Sequence, residues 1–146
     1  IMKELLYLKD NQLKEFIEKL FIVYRESFSD SKKILDKYSI GIAHHKVMHF
    51  LSLYKGITIS ELLKKLKVTK QSLNRVLKDL NKLKIIYFQK DEIDTRIKHV
   101  FLNEKGEKLF DEIFITQKKR IYRALLNSTS EEVLFFDKVI KKIING

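Results

Sequence analysis

Apolar residues recur along most of this chain at helical spacing. Leu13, Phe16, Ile17, Leu20, Phe21, Tyr24 and Phe28 mark a wide face of one long helix, expected from residue 2 to about 28. "SKKILDKY" fits one or two further turns, and residues 42–55 read as another helix that Gly56 terminates. In "ITISELLKKLK", Thr58 and Glu61 have the spacing of a capping box, and Ile59, Leu62, Leu63 and Leu66 form one stripe. After "KVT" a new helix starts with Thr69 as N-cap, its apolar face made by Leu73, Val76, Leu77, Leu80 and Leu83. Two capped helices this close in sequence make a helix-turn-helix.

The period then changes. "IIYFQK" and "IKHVFL" are rich in β-branched and aromatic residues and bracket the polar loop "DEIDTR", which predicts a β-hairpin with Val100 and Leu102 inward. Asn103 caps a long helix to about 126, with Leu109, Phe110, Ile113, Phe114 and Ile121 apolar. Thr129 and Glu132 open a last helix whose face is Val133, Phe136, Val139, Ile140 and Ile143. The expected fold is mainly α with a small β-hairpin wing (α+β), a winged helix-turn-helix flanked by N- and C-terminal helices. One domain spanning residues 1–146 is expected, with the winged region at 41–103 and the end helices at 1–40 and 104–146.

Composition supports this and removes some chemistry. The absence of proline and cysteine, with only four glycines, favours helices and excludes disulfides, thiolate metal sites and a cysteine redox sensor. The N-terminal stretch has no apolar run long enough for a signal peptide or membrane span, so a cytoplasmic location is expected. No Gly-rich phosphate loop, G-x-S-x-G, H-E-x-x-H or cysteine nucleophile is present, so neither catalysis nor a cofactor is expected. His45 and His49 stand four apart on a helix and could share a metal. No third ligand is identifiable nearby in sequence, and the alternative is two partly buried core residues.

Charge changes the picture more. The net formal charge is +11, and residues 60–100 carry eleven basic side chains against five acidic ones. A basic segment this concentrated favours a polyanionic partner. On the helix starting at residue 70, Gln71 and Asn74 suit adenine and Arg75 suits guanine. Thr69 and Ser72 can reach phosphate or base, and Lys70 and Lys78 suit phosphates. The alternative is a solvated helix face. The loop "DEIDTR" puts three acids around Arg96. A wing-tip arginine entering a narrow minor groove needs its direction fixed, and Asp94, two residues earlier, could hold it. Lys90 and Lys98 at the wing's base would offset the repulsion of phosphate. The alternative is an acidic tip that touches nothing.

These residues resemble the wing signature of the MarR family of bacterial transcription regulators, D-x-R followed by L-T-x-x-G. Asp94, Arg96, Leu102 and Gly106 match it, with Asn103 in place of the usual threonine. "KVTKQSLNRVLKDLNKLKII" resembles the family's recognition-helix region, although Lys84 replaces a helix-ending glycine and Phe88 a common arginine. The resemblance implies a homodimer interlocked through its end helices, bound to double-stranded DNA at a pseudopalindromic operator. The end helices support a dimer independently, with adjacent pairs such as Phe135–Phe136 and Ile143–Ile144 offering more apolar surface than one domain of this size buries. The resemblance also implies a small-molecule effector. Tyr24, Arg25, Tyr38, His44, His45 and Tyr54 are the residues available for a pocket, or they are simply packed side chains. A winged-helix architectural or protein-interaction module without base-specific DNA binding is the alternative function.

Overall fold

The computed structural model describes residues 5–146. A 3-10 turn (Leu6–Leu8) precedes α1 (Asp10–Ser29), α2 (Lys32–Lys37), α3 (Ile42–Leu53), α4 (Ile59–Leu66) and α5 (Lys70–Lys82). The hairpin β1 (Ile86–Lys90) and β2 (Lys98–Leu102) follows, then α6 (Glu104–Leu126) and α7 (Ser130–Asn145). The expected fold class is the one that forms. The first helix differs in extent: α1 begins at Asp10, because Lys9 is extended (φ −71°, ψ 147°). Asp10 enters the first turn, where the helix dipole favours an acid. Residues 2–4 of the expected helix lie outside the described residues.

The chain divides into two compact units, Ser31–Ile115 and a second formed by residues up to Asp30 with Thr116–Gly146. The boundaries expected at residues 40 and 104 therefore fall inside the winged unit. Packing is the reason. Leu35, Ile40, Leu109, Phe110 and Ile113 belong to the same buried cluster as the helix-turn-helix residues Leu62, Leu73, Leu77 and Leu80. The buried Ser31 hydroxyl donates to the Ile113 carbonyl at 2.9 Å, so the polar group entering this core is satisfied.

Within the winged unit the local signals act as expected. Thr58 accepts from Glu61 N at 3.1 Å while Glu61 reaches back, completing the capping box of α4. Thr69 accepts from Ser72 N at 3.1 Å and starts α5. Lys67, between the two helices, is left-handed at φ 52°, which sets the turn. Leu73, Val76, Leu77 and Leu80 of α5 are buried, while Leu83 is only partly so. Each such buried aliphatic side chain contributes about 1.5–3 kcal/mol, so this stripe fixes which face of α5 turns outward.

The hairpin pairs Ile86 with Leu102 through Lys90 with Lys98. Ile86, Val100 and Leu102 enter the core, and the cross-strand pair Tyr87–Phe101 stacks outside at 5.0 Å. Val100 N donates to Ile57 O at 3.0 Å, tying β2 to the turn before α4.

The helical unit is different. No residue of α1 or α7 is buried. Phe16, Ile17 and Phe21 of α1 and Phe135, Phe136, Val139 and Ile143 of α7 are all exposed. Arg120 of α6 clasps Asp30 through two hydrogen bonds of 2.8 and 3.0 Å, which lowers the Asp30 pKa. Among the described residues, no helix is long and apolar enough to cross a membrane.

Candidate nucleic-acid interface

The buried stripe of α5 leaves Thr69, Lys70, Gln71, Ser72, Asn74, Arg75 and Lys78 on the exposed side. All seven expected recognition-helix residues thus share one solvent-facing surface. Its donors and acceptors match base edges and its lysines match phosphates.

The wing shows how an acidic loop serves a basic protein. Arg96 Nε donates to Asp94 Oδ1 at 3.0 Å, and its terminal nitrogen donates to Asp94 Oδ2 at 2.9 Å. The Arg96 backbone N–H also donates to Asp94 Oδ1 at 3.0 Å. The guanidinium is therefore held by a planar, bidentate fork while 88% of the side chain remains exposed. Hydrogen bonding to Arg96 lowers the Asp94 pKa and raises that of Arg96, so both remain charged across the physiological range. Lys90 and Lys98 pair across the strands where the hairpin meets its loop. Lys98 Nζ stands 6.0 Å over the ring of Phe88, placing a cation beside the position where the family motif has an arginine.

Two residues that sequence reasoning passed over shape this loop. One oxygen of Asp91 accepts the backbone N–H groups of Ile93 and Asp94, each at 3.1 Å. Its other oxygen lies 2.7 Å from His99 Nε2, and His99 Nδ1 lies 2.6 Å from the Gly56 carbonyl oxygen. These hydrogen bonds, with that of His99 the largest cause, lower the Asp91 pKa. An aspartate opening a loop two and three residues before the amides it accepts was a readable signal. The pairing with His99 and Gly56 was not, because only the fold brings them together.

The effector candidates are divided between the two units. In the winged unit, His44 Nδ1 accepts from Gly41 N at 3.1 Å, leaving Nε2–H to donate to Asp79 of α5 at 2.9 Å. His45 is fully buried with its ring edge-on to Phe110. Tyr54 stacks with Phe50 under the Lys65 ammonium, 4.3 Å away. Tyr38 lines an open cleft of about 620 Å³ with Asn103, Glu104, Lys105, Lys108, Leu109 and Glu112, and none of the other candidates. In the helical unit, Tyr24 packs on Phe28, and Arg25 pairs with Glu26 and covers the ring of Phe21. His49 lies against Phe50 and Phe110, where burial lowers its pKa. Among the described residues, no three or more His, Asp or Glu side chains gather as a metal site.

Known proteins resemble this chain in both sequence and fold. A family model described as "MarR family" matches residues 38–97, from before α3 into the wing. The HTH-type transcriptional regulator PetP of Rhodobacter capsulatus is 36% identical over 97% of this chain and 85% of its own length. NadR, solved in complex with 4-hydroxyphenylacetate, superposes with a TM-score of 0.75 at 17% identity, covering 98% of this chain and 97% of NadR. The S. aureus MepR–DNA complex superposes with a TM-score of 0.67 at 23% identity, covering 88% of this chain and 96% of MepR. With its winged helix, its matched family segment and a relative this similar along nearly its whole length, the chain belongs to the MarR family of transcriptional regulators.

Proposed function

We propose that this protein acts as a homodimer that binds a pseudopalindromic operator in double-stranded DNA. In this reading α5 enters the major groove, with Gln71, Asn74 and Arg75 meeting base edges. Thr69, Lys70, Ser72 and Lys78 contact the backbone, and the wing sends Arg96 into the adjacent minor groove. The observation that carries the reading is Arg96 itself: a fully charged guanidinium, exposed at the hairpin tip, with its direction set by Asp94. A loop that merely faced water would gain little from such a fork, since exposed ion pairs contribute only about 0–1 kcal/mol.

The dimer rests on the end helices. An apolar surface running along α1 and α7 with no buried residue in either helix demands a cover, and a second copy supplies one with matching symmetry. A small-molecule effector that releases DNA belongs to the same reading. Its support is the NadR relative with its bound 4-hydroxyphenylacetate.

The test separates base reading from mere charge. Arg75→Ala and Lys78→Ala are compared on a set of duplexes that differ by single base pairs. Arg75→Ala is expected to relax discrimination at one position, and Lys78→Ala to weaken binding to every duplex alike. If Arg75→Ala weakens all duplexes equally or none, the chain is an architectural or interaction module.

A further inference from the structure

We infer that His99, in its doubly protonated form, pins the wing loop to the turn before α4 and thereby sets the order of Arg96. Gly56 offers a carbonyl oxygen and Asp91 a carboxylate, and neither brings a proton to the imidazole. Both ring nitrogens must therefore donate, and only the imidazolium can do so. A neutral ring would leave a nitrogen lone pair facing an oxygen at 2.6 or 2.7 Å. One of the two contacts would then open.

The clasp leads directly to the arginine. Asp91, once held by His99, receives the amides of Ile93 and Asp94 on its other oxygen. Asp94, fixed at its backbone, holds Arg96 by three hydrogen bonds. His99 and Asp91 are thus positioning residues for a side chain neither touches. The backbone bond from Val100 to Ile57 keeps β2 in place without the imidazole, so the loop beyond Lys90 is what the clasp controls.

The charges around His99 agree. Asp91 in the wing and Glu61 on α4 both favour its cation. Lys90 and Glu92, which line the same surface cleft, have opposite signs, and Lys65 of α4 is drawn over Tyr54. Hydrogen bonds to Asp91 and Gly56 raise the His99 pKa above its ordinary value near 6.5. A raised pKa means that the clasp is intact below that ordinary value and is lost as pH rises through the higher one.

This inference rests on the DNA-binding reading for its consequence, and its test is made first on the free protein. In ¹⁵N-labelled protein, the His99 ring nitrogens and the Arg96 Nε–H group are followed together from slightly acidic to moderately alkaline pH. Both ring nitrogens are expected to carry protons at neutral pH, and Arg96 Nε–H to lose order as His99 deprotonates. In His99→Gln that pH response is absent. A singly protonated His99 at neutral pH, or an Arg96 whose order ignores the titration, overturns the inference, and both readouts are available from the wild type alone. On an A·T-rich duplex, wild-type affinity then falls several-fold as pH rises, relative to Arg96→Ala. Binding by the wild type with the same pH dependence as Arg96→Ala also overturns it. No DNA binding at any pH defeats the proposed function instead, while the ring-nitrogen result still decides the clasp.

Discussion

The backbone of α6 passes so close to the Ile85 carbonyl at Gly106 that no side chain fits between them. A Cβ built on Gly106 overlaps the Ile85 oxygen and stands 3.2 Å from Leu102 Cδ2. A glycine in a first helical turn costs about 1 kcal/mol relative to alanine, so its presence needs this close approach as compensation. Asn103 completes the junction by donating its backbone N–H to Ile85 O and its side-chain amide to Lys84 O, at 3.0 and 2.7 Å. Its side-chain oxygen accepts from Gly106 N at 2.8 Å.

Gly106→Ala is therefore expected to destabilise the fold by about 1–3 kcal/mol, because backbone rather than a flexible side chain must move. Chemical denaturation measures it. An unchanged midpoint would mean that α6 and the turn before β1 are not in contact.

Lys84 makes the opposite prediction. It follows α5 in the left-handed region at φ 58°, where a β-carbon costs about 1–2 kcal/mol. Glycine there relieves that strain but loses more chain entropy on folding, about 0.5–1 kcal/mol. Lys84→Gly should raise stability by up to about 1 kcal/mol, seen as a higher denaturation midpoint. A lower midpoint would show that the lysine side chain contributes more than its backbone strain costs.

These two junctions show what was legible in the sequence. Local signals were: Thr58, Thr69 and Thr129 cap their helices, and the stripe from Leu73 to Leu80 faces the core. Asp94 and Arg96, two residues apart, also revealed their pairing. Contacts between distant residues were not legible. Gly56 and His99 meet only after α4, α5 and β1 have folded between them, and His44 finds Asp79 only through the packing of α3 on α5. The winged unit extends to Ser31 and Ile115 because Leu35 and Phe110 bury together, which helical periodicity cannot reveal.

Arg96→Ala should cost about 1–3 kcal/mol of DNA affinity, most strongly on A·T-rich flanks. Asp94→Asn should lose part of that amount, and the double variant should resemble Arg96→Ala because Asp94 acts through the arginine. Titrations on duplexes with A·T-rich and G·C-rich flanks check both statements. Equal losses on the two flanks would remove the wing from the minor groove.

Phe136→Glu places a charge on the exposed apolar face of α7, where Phe136, Val139 and Ile143 lie at helical spacing. Sedimentation is expected to show a dimer for the parent protein and a shift towards monomer for the variant. A variant that remains dimeric would move the interface elsewhere.

The most direct measurement is selection from a random duplex DNA library near physiological salt, followed by sequencing of the bound fraction. A dimer that reads DNA as proposed enriches a palindrome whose half-site centres lie about 10 base pairs apart, with A·T-rich positions where the wings reach. Binding that enriches no sequence and disappears as salt is raised would contradict it, leaving only the attraction of a basic surface for phosphate.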